Sequence, residues 1–275
     1  MEFLAFFLRP VYTTDLFFPG GYSMRLTAAL FLVFISLFGI GYAETKAKPA
    51  KVFILCYHTF HDAKKSQYNF TPSEFQQQIE SIEALGYHFI SMNDFTAGKF
   101  DYPLNVMITI DDGNATIKNI YKSVLKKHGI VPVFFIYPAI IGKKDYALKF
   151  DELLWFKNDG VAIGAHGYFH EYVNQKLYDL SVQRFMDEIY KTKDVLEKKL
   201  SVSIKTYAYP FGLYSPITIK HLILAGYKYA FTIEWGYVQT PLDPSKNFEI
   251  PRYLVETSSW KGIYETLKKH AKPQK

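Results

Sequence analysis

From Val52 onward the chain alternates short apolar runs with stretches of helical period, and this alternation limits the folds open to it. The segments 52–57, 87–91, 106–110, 131–137, 161–165, 205–209 and 227–233 read as strands. They are nearly continuous in apolar residues, the pattern of strands covered on both faces. Between the first two, Thr71-Pro72-Ser73-Glu74 supplies an N-cap, a first-turn proline and the glutamate of a capping box, and Gly86 ends the helix. A second helix is expected over 115–128, ended by Gly129, and the longest over 180–200. Strands alternating with helices imply a parallel sheet. Seven or so such units, with no internal repeat and no break in composition, predict an α/β fold: a distorted (β/α)7 TIM-like barrel in a single domain.

The 275 residues are 49% apolar and 18% aromatic, enough for one well-filled core. A net charge of +6 is spread over scattered lysines such as Lys64-Lys65, Lys126-Lys127 and Lys198-Lys199. Such spacing describes a solvated surface, compatible with an anionic envelope polymer, and argues against nucleic acid as a partner. Near the N-terminus, Met24-Arg25 precedes an apolar run over 27–41 and then Gly41-Tyr42-Ala43, the layout of a secretory signal cut after Ala43. Acidic Glu2 and Asp15 and the Pro19-Gly20-Gly21 break are foreign to a signal, so Met24 is read as the true start. The expected organisation is an extension plus signal over 1–43, a polar linker over 44–51 and one domain over 52–275, periplasmic or secreted. An uncleaved anchor is the alternative and the only membrane contact expected, although the run falls short of the ~20 residues of a span. Cys56 is the single cysteine and sits within the first strand, where a buried small hydrophobe is expected.

Chemistry-bearing residues gather where strands end. Thr109-Ile110-Asp111-Asp112-Gly113 places adjacent carboxylates at the close of an apolar run, and His166-Gly167-Tyr168-Phe169-His170 places two imidazoles after another. One aspartate and two histidines leave an open position on a divalent metal, and the spare aspartate is available as a base. Asp-Asp-Gly alone is usually a surface turn. The His-x3-His run after a second strand turns the reading toward a metal site.

These segments resemble the NodB-homology polysaccharide deacetylases. The family's Thr-Phe-Asp-Asp-Gly motif is matched by 109–113, and its His-Ser/Thr-x-x-His motif by 166–170. Tyr207-Ala208-Tyr209-Pro210-Phe211-Gly212 matches its third. Leu55-Cys56-Tyr57-His58 is similar to the start of the branch acting on poly-N-acetylglucosamine, which carries its acid histidine early. The resemblance implies a deacetylase of N-acetylglucosamine units in a polysaccharide. Asp112, His166 and His170 would hold one divalent metal, zinc first, with cobalt, manganese or nickel accepted by the same donors. Asp111 would be the general base, His58 the general acid with His61 as fallback, and the Phe211 N–H an oxyanion donor in a turn shaped by Pro210 and Gly212. Tyr209 and Trp235 are candidates for the sugar and acetyl pocket, with core packing as the alternative.

Two departures stand out. The family's larger class has an arginine beside the base where this chain has Ala208, leaving Arg252 as a candidate replacement. Gly167 replaces the Ser/Thr whose hydroxyl would brace the metal loop. Two rival readings remain: deacetylation of a small, non-polymeric amide, and an inactive, metal-dependent carbohydrate-binding protein.

Overall fold

The computed structural model describes residues 16–17, 23–24, 50–62, 66–98, 100 and 102–271. The chain divides into two units, Met1–Thr45 and Lys46–Lys275. In the first, Leu16–Phe17 pairs antiparallel with Ser23–Met24. The expected signal, its cut after Ala43 and the linker up to residue 49 lie outside the described residues. Among the described residues no helix is long and apolar enough to cross a membrane.

In the second unit, strands are numbered from Lys51. Seven run parallel: β1 (Lys51–Tyr57), β3 (Leu104–Asp112), β4 (Val133–Ile136), β5 (Ala162–Ala165), β6 (Thr206–Ala208), β7 (Tyr229–Phe231) and β9 (Tyr253–Leu254). Their spatial order is β7-β6-β5-β4-β3-β1-β9. Two short strands complete the nine-stranded sheet: β2 (His88–Phe89) lies parallel to the start of β3, and β8 (Val238–Gln239) antiparallel to the start of β1. Tyr253 and Leu254 pair with Leu55 and Cys56, while Ile250, just upstream, bridges Phe231 of β7. One segment therefore spans the gap between the first and last strands, with Pro251 and Arg252 at the crossing. This is the curled sheet of a (β/α)7 barrel, as the alternation of elements predicts.

Strand alternation decides what fills the interior. Phe53, Leu55 and Tyr57 of β1, with Val106, Ile108 and Ile110 of β3, share a cluster with the helix residues Phe75, Ile79 and Leu196. The alternate residues Val52, Ile54, Met107, Phe135, Ala208 and Phe231 form a second cluster inside the curl. Following the same period, Cys56, Thr109 and Asp111 stand on the interior face above that plug. The carboxylate of Asp111 thus enters the barrel because β3 keeps strand geometry through it.

The expected capping box of α1 (Pro72–Ala84) is present: Thr71 Oγ1 accepts from Glu74 N–H at 3.1 Å, and Glu74 accepts from Thr71 N–H at 2.7 Å. Two expected helices differ from the single rods read in the sequence. The 115–128 segment forms α2 (Ile117–Ile120), which continues as a π-helical turn over Tyr121–Leu125. The 180–200 segment breaks at Ser181, whose backbone is extended and whose side chain caps the next helix by accepting from Arg184 N–H. It becomes the end of α3 (Gln175–Leu180), then α4 (Val182–Met186), a π-helical turn over Asp187–Lys191, and α5 (Thr192–Leu200).

Candidate metal centre

Asp112, His166 and His170 present one donor atom each within 4.8 Å of one another. Asp112 Oδ1 lies 3.6 Å from His166 Nε2 and 3.5 Å from His170 Nε2, and the two Nε2 atoms are 3.1 Å apart. His166 Nδ1 is 2.8 Å from the Ala208 carbonyl oxygen, an acceptor only, so Nδ1 carries the proton and Nε2 keeps its lone pair. Asp112 Oδ1 is buried and has no hydrogen-bond partner among the described residues. Two imidazole nitrogens and an orphaned carboxylate oxygen facing one point suit a divalent cation, and this donor set matches zinc-type chemistry. Burial, with His166 adding to it, pushes His170 down to about 4, so its ring is neutral and ready to ligate at neutral pH.

The backbone is shaped for this convergence. Asp112 (φ 73°), His170 (φ 66°) and Phe211 (φ 57°) occupy the left-handed region that non-glycine residues seldom adopt, and all three surround one cavity. The turn at Asp112-Gly113 swings its side chain away from the alternation of β3, so both neighbouring carboxylates reach the same site.

Asp111 Oδ2 sits 3.7 Å from His166 Nε2, beside the triad. Arg252 Nη1 donates to Asp111 Oδ1 at 2.8 Å and Nη2 to Oδ2 at 2.8 Å. Its Nε donates to the Thr232 carbonyl at 2.9 Å, so the guanidinium is fixed in plane. Burial alone would push Asp111 up. The Arg252 guanidinium overrides it, aided by His166, and holds the carboxyl well below the usual carboxylate range. Cys56 is buried as expected and its thiol donates to Asp111 Oδ2 at 3.3 Å. Cys56, His58 and Asp111 also cluster closely, but a bidentate guanidinium on Asp111 leaves no place there for a second cation.

His58 lines the same cavity, of about 350 Å³, close to Asp111 and beside Tyr68, with ring centroids 5.1 Å apart. Its Nδ1 is buried without a hydrogen-bond partner among the described residues. In the 210–212 turn the closing hydrogen bonds run from Gly212 N–H to the Tyr209 carbonyl and from Leu213 N–H to the Pro210 carbonyl. Neither uses the Phe211 N–H.

The two pocket candidates differ in placement. Tyr209 borders the cavity, but its side chain is buried, stacks on Tyr214 and donates its hydroxyl to the Phe248 carbonyl at 2.9 Å. Trp235 is not among the residues lining the cavity; it packs on Tyr253 and stands 54% exposed. His61 is exposed and also absent from that lining. His88, His128, His221 and His270 lie outside that lining and contact Tyr102, Glu83, Tyr190 and Lys51 respectively.

Sequence reasoning missed Glu188. This fully buried carboxylate accepts from the backbone N–H groups of Tyr168 (3.0 Å), Phe169 (2.7 Å) and Glu171 (3.2 Å). Burial pushes it up to about 7, with the Phe169 and Glu171 N–H groups opposing. The available signal was its place on the apolar stripe Phe185, Ile189, Thr192 and Leu196, where an acidic residue is out of keeping.

Residues 103–230 match the polysaccharide deacetylase family. A poly-beta-1,6-N-acetyl-D-glucosamine N-deacetylase of Staphylococcus aureus is 27% identical over 218 residues, 72% of this chain and 74% of its own length. The enzyme of that name from Staphylococcus epidermidis is 28% identical over 216 residues, 73% of this chain and 71% of its own. IcaB from Ammonifex degensii has a TM-score of 0.69 at 23% identity, covering 80% of this chain and 97% of that one. Streptococcus pyogenes PplD, solved with acetate, has a TM-score of 0.66 at 22% identity, covering 80% and 99%. At these identities the two structures share the fold with this chain.

Proposed function

We propose, from the polysaccharide deacetylase domain that this chain carries, that the protein is a metal-dependent hydrolase removing N-acetyl groups from N-acetylglucosamine units of a polysaccharide outside the cytoplasm. Asp112, His166 and His170 would hold the metal, with zinc the first candidate. When bound there, a divalent cation polarises the acetamide carbonyl and brings the pKa of water from about 15.7 toward ~7.

The chain's own groups do the rest. Asp111, kept ionised by Arg252, takes the proton of the attacking water. The Phe211 N–H donates to the oxygen on which charge develops, where preorganised donors count most. His58, also lining the cavity, hands a proton to the departing amine, leaving acetate and a free amino sugar. The observation that carries this reading is the bidentate Arg252–Asp111 pair beside the triad, which gives the base a fixed orientation and an open proton site. It also speaks against the inactive binding protein, whose support was the missing arginine at position 208.

A signal-like layout over 24–43 would direct export. Acetate release from poly-β-1,6-N-acetylglucosamine oligomers, set against small N-acetyl amides, tests the substrate class. Release from the oligomers with none from the small amides is expected; the reverse would move the assignment to a small-molecule amidase.

A further inference from the structure

A buried carboxylate on a neighbouring helical segment stands directly behind the His166–His170 loop. Glu188 accepts three backbone N–H groups from that loop, those of Tyr168, Phe169 and Glu171. All three flank His170 or lie between the two histidines, so the carboxylate fixes the path by which His170 reaches φ 66°. Position 167 is glycine for the same reason. A Cβ there would come 2.2 Å from Glu188 Oε2 and 3.2 Å from Pro210 Cγ. The space that a hydroxyl side chain at 167 would need is filled by Glu188 itself.

We propose that Glu188 is the positioning residue of the metal loop, doing from outside the motif what a side chain at position 167 cannot do here. This rests on the metal reading of Asp112, His166 and His170. Three hydrogen bonds onto two carboxylate oxygens hold the loop at more points than one hydroxyl could. Supporting partners of metal ligands are typically worth about 10–100-fold in metal affinity. A second tie runs over the exposed side, where Arg184 pairs with Glu171, and it provides a natural control.

The experiment compares zinc affinity, by competition with a chromophoric chelator, in metal-stripped wild type, Glu188→Ala, Glu188→Gln and Arg184→Ala. Expected is a loss of at least about tenfold in Glu188→Ala, a smaller loss in Glu188→Gln, which keeps one acceptor, and little change in Arg184→Ala. Saturating zinc should then restore much of kcat in Glu188→Gln with KM unchanged, a split that general loss of packing would not give. A folded Glu188→Ala protein with wild-type zinc affinity overturns the proposal. Should the alanine variant fail to fold, Glu188→Gln decides: weakened zinc binding in a folded protein supports the role. Wild-type affinity, or failure to fold, assigns Glu188 to the fold alone and overturns it. Absence of zinc binding by the wild type would overturn the metal reading as well, which separates the two failures.

Discussion

Arg252 grips Asp111 with both arms of its guanidinium, each at 2.8 Å, although the two residues are 141 positions apart, Asp111 within β3 and Arg252 just before β9. Both are buried, and a buried pair of this kind is held by geometry rather than by net attraction, since desolvation offsets much of the Coulomb gain. Here the pairing keeps one carboxylate ionised inside a barrel where burial alone would protonate it.

Replacing Arg252 by lysine keeps a positive charge but loses the fork. Arg252 holds Asp111 low, so weakening it lets burial raise the carboxyl. The base acts when ionised, so the acidic limb of kcat/KM should move to higher pH. Because the folded-state value is depressed, the pair's stabilisation is full above the ordinary aspartate range and is lost as pH falls from there through the depressed folded-state value. The lysine variant should therefore show a flatter loss of stability in acid. A pH–rate profile with an unmoved acidic limb would remove Arg252 from the tuning of the base.

His170 is held down to about 4, chiefly by burial. An ordinary histidine begins to protonate near pH 6.5 and releases its metal as it does so. Proton competition at His170 should therefore not weaken zinc uptake by the stripped protein until the pH approaches about 4–5, well below that ordinary value. Chelator competition across the acid range checks this; release centred on the ordinary histidine value would contradict the burial argument.

Placing serine at position 167, as the family pattern has it, should harm the protein. The added Cβ meets Glu188 Oε2 at 2.2 Å, and φ is 73°. A left-handed L-residue costs roughly 1–2 kcal/mol before any clash. Gly167→Ser is expected to lower both Tm and zinc affinity. An unchanged or improved enzyme would show that Glu188 does not occupy that space.

Much of this architecture was legible in the chain. Runs such as 52–57 and 106–110 announce strands covered on both faces, and Thr71 to Glu74 announces a helix start, because each depends on neighbours in sequence. The Asp111-Asp112 and His166-to-His170 spacings likewise carry their chemistry locally. What was hidden depends on contacts distant in sequence. Arg252 could be offered only as a replacement for an arginine missing at 208, since nothing near it in sequence points to β3. Glu188 braces a loop 17 to 20 residues earlier, and only its misfit on an apolar stripe hints at it. The break at Ser181 shows a local cap overriding helical period over 180–200. Trp235 packs on Tyr253, a contact between residues 18 positions apart that the sequence does not announce.

The most direct measurement is acetate release from N-acetylglucosamine oligomers by metal-stripped protein refilled with zinc, run beside Asp111→Asn. Asparagine keeps the shape of the side chain but cannot take a proton. The expected result is zinc-restored release by the wild type and, in the variant, full zinc binding with kcat down by about 10²–10⁴. Release by the stripped protein, or full turnover by Asp111→Asn, would contradict a metal-dependent reaction with Asp111 as its base.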